Sequence, residues 1–150
     1  MSWNRPRPRV HRQPGAAPAR EPEPGAPVLV TVEALIGAAA VAGGLLLVAR
    51  PDGSLLHADA RVLAGSPFSD WRVPGVLLTG LVGGGYLAAA WWLGRRRPFA
   101  AELSVVAGIG LVGFEAAELA WIGFQPLQAV FAGLGILVAV LATRVREGRP

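Results

Sequence analysis

The third of four apolar stretches in this chain carries two glutamates, Glu115 and Glu118, in the run GFEAAELAWIGFQ. Because they are three residues apart they share one face of a helix, and Gln125 continues that face. At about 1.5 Å of rise per residue, Glu118 lies about 10 Å and Glu115 about 15 Å below the end of the helix. An ionised side chain inside a bilayer costs at least about 2.5 kcal/mol. These three residues therefore form the candidate intramembrane polar site.

Two hypotheses account for the glutamate pair. In the functional one, the carboxylates relay protons, bind a cation or hold a cationic substrate. In the structural one, one glutamate forms an ion pair with Arg61 or Arg72 and so docks the preceding loop, while the other is neutral and hydrogen-bonded to a backbone carbonyl or to Gln125.

Other residue types offer no catalytic, metal or cofactor site. The chain has no cysteine, which excludes disulfides, thiolate metal sites and cysteine catalysis. His57 has only Asp52 and Asp59 as nearby candidate ligands, so we interpret it as a surface histidine. No serine lies in a GxSxG context. Glu33 and Glu102 lie near the ends of their stretches, where we expect headgroups or arginines to solvate them.

The apolar stretches that position these residues span residues 28–49, 75–94, 99–124 and 127–143. A spanning helix needs about 20 predominantly apolar residues. A soluble helical protein would show a polar stripe on each helix, and these stretches show none. The sequence therefore predicts an all-α transmembrane domain over residues 28–143, an antiparallel four-helix bundle with up-down-up-down connectivity. The short links RRRP and GFQP favour that order.

The arginines give the predicted bundle an orientation. Eleven of the fourteen basic residues, all arginine, fall before the first stretch, between the second and third, or after the fourth. Only Arg50, Arg61 and Arg72 fall on the other side. Positive residues are retained in the cytoplasm, so both termini should be cytoplasmic in the plasma membrane. The net charge of +4 then needs no nucleic-acid partner.

The segments outside the helices differ in character. Residues 1–27 are rich in Pro, Arg and Glu and predict a disordered cytoplasmic tail, and residues 144–150 predict a short C-terminal tail. The link from Arg50 to Val73 is too apolar for a loose tether, so we predict a semi-ordered external cap. Within it Ser66 and Pro67 resemble a helix start.

Small residues recur at helical spacing, most clearly Gly80 and Gly84 in the second stretch. Close approach over small residues is what holds helices together in lipid. This GxxxG pair predicts either packing within the chain or a contact with a second copy.

Residues 66–85, SPFSDWRVPGVLLTGLVGGG, resemble a signature of an uncharacterised family of small bacterial membrane proteins with four predicted helices. The motif consists of a Ser-Pro-Phe, an acidic-aromatic pair and a Pro-Gly before the second helix: Ser66, Pro67, Phe68, Asp70, Trp71, Pro74 and Gly75. Residues 118–138 also look like the closing helical hairpin of that family. The resemblance implies the four-helix fold and no activity.

These observations favour a non-enzymatic role, as a structural or accessory membrane subunit. The alternative is a small oligomeric transporter or channel that uses the carboxylates of the third helix. A third option is a membrane-embedded enzyme acting on lipid. The expected partners are the lipid bilayer and either another membrane protein or a second copy of the chain, with no cofactor.

Overall fold

The computed structural model describes Met1 and residues 25–147, and within them it is helical with no strand. Four helices are long and apolar enough to cross a membrane: α1 (Ala26–Ala49), α2 (Arg72–Gly94), α3 (Ala100–Ile122) and α4 (Pro126–Glu147). The all-helical fold class with four helices of membrane length is thus confirmed. The predicted tail over residues 1–27 lies almost entirely outside the described residues, as do residues 148–150.

The helix ends differ from the predicted stretches by a few residues, and local polar contacts explain the difference. Helix α1 begins two residues early, because Pro27 in its first turn needs no hydrogen-bond partner. Helix α2 begins at Arg72, whose backbone N–H donates to the Asp70 carboxylate at 2.9 Å. Helix α4 continues four residues past Thr143, and Arg144 and Arg146 suit the negative end of its dipole.

Helices α1 and α2 approach each other over glycines. A Cβ added to Gly44 would lie 2.5 Å from the Gly75 carbonyl oxygen, and one added to Gly75 would lie 2.7 Å from the Gly44 oxygen. Further along, a Cβ on Gly83 would lie 2.6 Å from Val41 Cγ2, within a π-helical segment of α2, Leu78–Gly83. The backbones are therefore too close to admit side chains at these positions.

Helices α3 and α4 form a second glycine contact. A Cβ added to Gly108 would lie 2.6 Å from the Gly135 carbonyl oxygen, and one added to Gly135 would lie 2.8 Å from the Gly108 oxygen. The two pairs of helices share one core of buried side chains that includes Leu29, Leu111 and Val138.

Gly80 and Gly84 do not take part in this packing. Both are exposed, and a Cβ added to Gly80 would meet no atom within 4 Å, while one on Gly84 would meet only the Thr79 oxygen at 3.9 Å. The GxxxG spacing therefore does not hold α2 to the other helices of this chain. Gly75 and Gly83, which flank Gly80 on the buried side, do so instead.

Residues 50–71 form the cap segment, which folds back over the helix ends. Two 3-10 turns, Ser54–Leu56 and Ala60–Gly65, follow a left-handed Gly53 (φ 78°). The Trp71 backbone N–H donates to the Pro51 carbonyl at 2.9 Å and closes the loop. Leu63 and Trp71 are buried against Leu47 of α1. The cap segment thus has a small core of its own.

Candidate functional site

The structure keeps Glu115 and Glu118 on one face of α3 but separates Gln125 from them. Glu115 is buried, Glu118 is half-buried and Gln125 lies exposed in the turn before α4. The Gln125 backbone N–H donates to the Gln128 side-chain oxygen at 3.0 Å. Gln125 therefore acts through its backbone, as the residue that precedes α4.

Gln128 takes the position predicted for Gln125. It is buried, and its side-chain amide lies beside the Glu118 carboxyl group. Its oxygen accepts from the Gln125 N–H, and its Nε2 has no hydrogen-bond partner. The spacing Gln-Pro-x-Gln could have predicted the position of Gln128. A Gln at the third helical position commonly accepts a hydrogen bond from the backbone N–H of the N-cap residue.

The structure brings neither Arg61 nor Arg72 to the glutamates. Within residues 25–147 the one ion pair joins Arg61 to Asp59, at 2.6 Å. Arg72 lies exposed, and its contact with Asp70 is made by its backbone N–H. Each arginine follows an aspartate by two residues, so a local contact forms without ordering a distant side chain. Glu115 and Glu118 thus have no arginine counter-ion among the described residues.

The pairing of Asp59 with Arg61 predicts a pH effect on the cap segment. Asp59 accepts hydrogen bonds from the Arg61 backbone N–H and from Arg61 Nε, both at 2.9 Å, and these lower the pKa of the Asp59 carboxyl. Stabilisation from this pair is therefore full above the ordinary aspartate pKa and is lost as pH falls through the lowered value. We expect amide exchange at Arg61, corrected for intrinsic rates, to quicken at acid pH. In Asp59→Asn it should be fast at every pH, and protection equal to wild type in this variant would contradict the assignment.

A cavity of about 150 Å³ lies between the cap segment and the ends of α2 and α3. Its aromatic walls are Phe68, Trp71, Phe114 and Trp121, and Glu118 is the acidic residue that lines it. Glu115, one turn away, is not part of the lining.

Motif residues before α2 and in its first turn build one wall of this cavity. Ser66, Phe68, Trp71 and Pro74 all line it. The Ser66 hydroxyl donates to the Leu63 carbonyl at 2.9 Å and accepts from the Phe68 N–H at 3.2 Å, which sets the bend.

The remaining motif residues have positions outside the cavity lining. Pro67 is exposed, Asp70 caps α2 and Gly75 meets Gly44. The spacing of the motif thus serves a helix start and a close helix contact as well as the cavity.

The cavity lining fits one chemical class of ligand. Phe68 meets Trp121 edge to face, with ring centroids 5.9 Å apart, so the rings are fixed in place. The buried Trp71 Nε1 has no hydrogen-bond partner. Aromatic faces attract cations, and the half-buried side chain of Glu118 contributes to the same, largely apolar lining. The arrangement suits an apolar molecule that carries a positive charge.

A second polar layer lies between α1, α2 and α3. Glu33, Tyr86 and Ser104 are 0%, 1% and 0% exposed. The Glu33 carboxyl group lies beside the Ser104 hydroxyl, but that hydroxyl donates to the Ala100 carbonyl at 3.1 Å. Neither Glu33 oxygen completes a hydrogen bond, and the Tyr86 hydroxyl has none either. The expectation that headgroups solvate Glu33 is therefore wrong. Its distance from the helix end was compatible with solvation, but its face turns inward.

The lack of a completed hydrogen bond at the buried Glu33 carboxyl group predicts that the protein is more stable without it. A buried polar group with no partner costs about 1–3 kcal/mol, and Met has nearly the volume of Glu. We expect Glu33→Met to raise the thermal unfolding midpoint in detergent, and Glu147→Met, at an exposed position, to leave it unchanged. A lower midpoint for Glu33→Met would mean that the carboxyl group has a stabilising partner.

Comparison with known proteins adds no assignment to this geometry. No family model matches the chain, and neither a curated protein nor a solved structure matches it. Among the described residues, no three His, Cys, Asp or Glu side chains come together to hold a metal ion. The functional argument therefore depends on the cavity and the two polar layers.

Proposed function

We propose that this protein is a multi-pass protein of the plasma membrane, with α1–α4 as an antiparallel up-down-up-down bundle and both termini in the cytoplasm. The glycine contacts support this order, because Gly44 lies against Gly75 whereas Gly37 lies against Leu87. The arginine distribution supports the orientation. Reporter fusions at the C-terminus and in the cap segment test it. An external C-terminal reporter would contradict it.

Within that topology, the function that the geometry supports best is binding of an amphiphilic cation beneath the external cap, as the first step of its transport. The cavity carries this proposal. Four aromatic side chains and the side chain of Glu118 line it, next to the cap segment. An apolar molecule gains by leaving water, and its charge gains from the rings and from Glu118.

Benzyltrimethylammonium and its neutral isostere neopentylbenzene separate the contribution of charge to binding from that of apolar burial. In calorimetry on detergent-purified protein, we expect Glu118→Gln to weaken binding of the cation about tenfold, equivalent to about 1.4 kcal/mol. Binding of neopentylbenzene should change little. Glu115→Gln removes the same charge one turn away, outside the cavity lining, and should keep cation affinity within about threefold, less than 0.7 kcal/mol. Equal losses for both ligands in Glu118→Gln would contradict a counter-ion role.

Transport itself is tested in proteoliposomes. Wild-type protein should take up the labelled cation, and Glu118→Gln should not. If binding is retained and uptake is absent in wild type, the protein binds the cation without transporting it, and the transport step is wrong.

A structural or accessory membrane subunit is the second candidate, favoured by the open face of Gly80 and Gly84. Small residues with no neighbour in their own chain allow another helix to approach closely. Gly80→Leu should then abolish co-purification of a partner in mild detergent without lowering the stability of the isolated protein. A strictly monomeric protein with no partner would contradict this role.

Membership of the family of small bacterial four-helix membrane proteins, suggested by residues 66–85 and 118–138, remains a proposal. It is supported by the structural contacts of six of the seven motif residues, Ser66, Phe68, Asp70, Trp71, Pro74 and Gly75. It adds no activity to the cavity argument.

A further inference from the structure

The link between α2 and α3 carries three arginines, Arg95, Arg96 and Arg97, in an ordered conformation. The Arg96 N–H donates to the Leu93 carbonyl at 2.9 Å, and the Arg97 N–H donates to the Trp92 carbonyl at 3.1 Å. These are the two hydrogen bonds of a Schellman motif, which ends a helix with one left-handed residue. The arginine backbones are therefore held by the end of α2.

The left-handed position of this motif is usually glycine, but here it is Arg96, with φ 51°. A side chain is sterically disfavoured in that conformation. The protein thus has a cationic residue where helix termination alone favours glycine.

Two tryptophans orient the flanking arginines. The Arg95 guanidinium lies 5.1 Å from the Trp91 ring centroid, and the Arg97 guanidinium lies 5.9 Å from both the Trp91 and the Trp92 centroids. Trp92 is itself held by its Nε1–H, which donates to the Pro98 carbonyl at 3.2 Å. The two guanidiniums are therefore grouped on one aromatic platform.

Within the described residues, no carboxylate neutralises the charges of the Arg95 and Arg97 guanidiniums. Their one ion pair is the distant contact of Asp59 with Arg61. Glu102, the acidic residue in the first turn of α3, makes no ion pair with the loop. The guanidiniums remain available for an external anion, and their planar donor arrays suit the two oxygens of a phosphate group.

The apolar surface next to the arginines indicates which class of phosphate compound would bind there. Leu87, Trp91 and Arg95 follow one another at intervals of four residues and so share one face of α2. All three are exposed. Along this face an aliphatic residue, an aromatic ring and a cation occur in the order of an acyl chain, the interfacial region and a headgroup phosphate.

We propose that Arg95 and Arg97, oriented by Trp91 and Trp92, form a binding site for the phosphodiester headgroup of an anionic phospholipid. The acyl chain of the lipid lies along the Leu87 face of α2. The site requires that α2 crosses the bilayer, as proposed above, but it does not depend on the cavity beneath the cap or on its ligand.

Native mass spectrometry of detergent-purified protein titrated with phosphatidylglycerol or phosphatidylcholine of identical acyl chains tests the site. Wild type should bind phosphatidylglycerol preferentially. Arg95→Gln/Arg97→Gln should weaken phosphatidylglycerol binding about tenfold and phosphatidylcholine binding much less, because the choline cation already offsets the charge of that phosphate. Arg144→Gln/Arg146→Gln removes two exposed charges from the end of α4 and should retain the preference. An equal loss in both double variants would overturn the proposal in favour of diffuse charge attraction.

Two further variants test whether Trp91 and the turn at Arg96 position the two guanidiniums. Trp91→Leu keeps every charge but removes the platform, and we expect it to weaken phosphatidylglycerol binding severalfold. Wild-type affinity in this variant would overturn the role of the ring. Arg96→Gly should retain phosphatidylglycerol binding within about twofold, because glycine suits the left-handed position.

A soluble phosphate separates a lipid site from a site for free phosphate. Glycerophosphoglycerol, which keeps the phosphodiester headgroup but has no acyl chains, should compete only weakly with phosphatidylglycerol. Competition at equal concentration would overturn the lipid assignment.

Discussion

Replacing Gly44 by alanine is expected to disrupt the contact of α1 with α2. A Cβ at this position would meet the side-chain oxygen of Thr79 and would lie 2.5 Å from the Gly75 carbonyl oxygen and 2.8 Å from the Thr79 nitrogen. Two of these atoms belong to the α2 backbone, which cannot turn aside as a side chain can. Overpacking of this kind costs about 1–3 kcal/mol, and a backbone clash belongs at the upper end.

The matched control is Gly80→Ala in α2. Gly80 has no atom within 4 Å of an added Cβ, and alanine is the better helix former by about 1 kcal/mol. In thermal unfolding followed by circular dichroism in detergent, Gly44→Ala should lower the midpoint and Gly80→Ala should maintain or raise it. Equal midpoints for the two variants would show that the α1–α2 contact contributes little to stability.

Replacing Gly53 by alanine is expected to open the cap segment while the four long helices stay folded. Gly53 has φ 78°, where a side chain costs about 1–2 kcal/mol. An added Cβ would also collide with the Ala58 carbonyl oxygen and lie 2.9 Å from Trp71 Cδ1. The cap segment has only a small core around Leu63 and Trp71, so a local penalty of this size is large relative to what holds it closed.

Hydrogen exchange of the cap segment measures this opening. In Gly53→Ala the Trp71 amide, which donates to the Pro51 carbonyl, should lose protection, whereas the helix signal in circular dichroism should stay at its wild-type value. Binding of benzyltrimethylammonium should fall as well, because Phe68 and Trp71 leave the cavity. The control His57→Gly places glycine at a second left-handed position, φ 54°, and should keep or increase protection. Wild-type protection in Gly53→Ala would contradict the closed cap.

The polar residues show which of their positions can be predicted by counting residues along a helix. Spacing alone places Glu115 and Glu118 on one face of α3, and the structure has them there. Spacing also gave Glu33 a depth near a helix end, which suggested solvation, yet that carboxyl group is fully buried. Depth follows from counting residues, whereas the direction in which a side chain points around the axis follows from the neighbours of the helix. Gln128 was missed for a related reason, because its capping contact with Gln125 turns it toward Glu118.

The sequence by itself determined the number and length of the apolar helices, because a membrane-length stretch without a polar stripe admits few other structures. It also singled out the glutamate pair and the apolar character of the cap segment. Only the tertiary structure decided which glycines serve as contacts, that Gly44 and Gly75 meet while Gly80 and Gly84 stay open, and that a cavity forms over Glu118. The physical reason is that apolar residues are spread around the whole circumference of α1, α2 and α3, so hydropathy does not distinguish their inward faces. Close approach of backbones and side-chain shape make that choice, and both depend on residues distant in the chain.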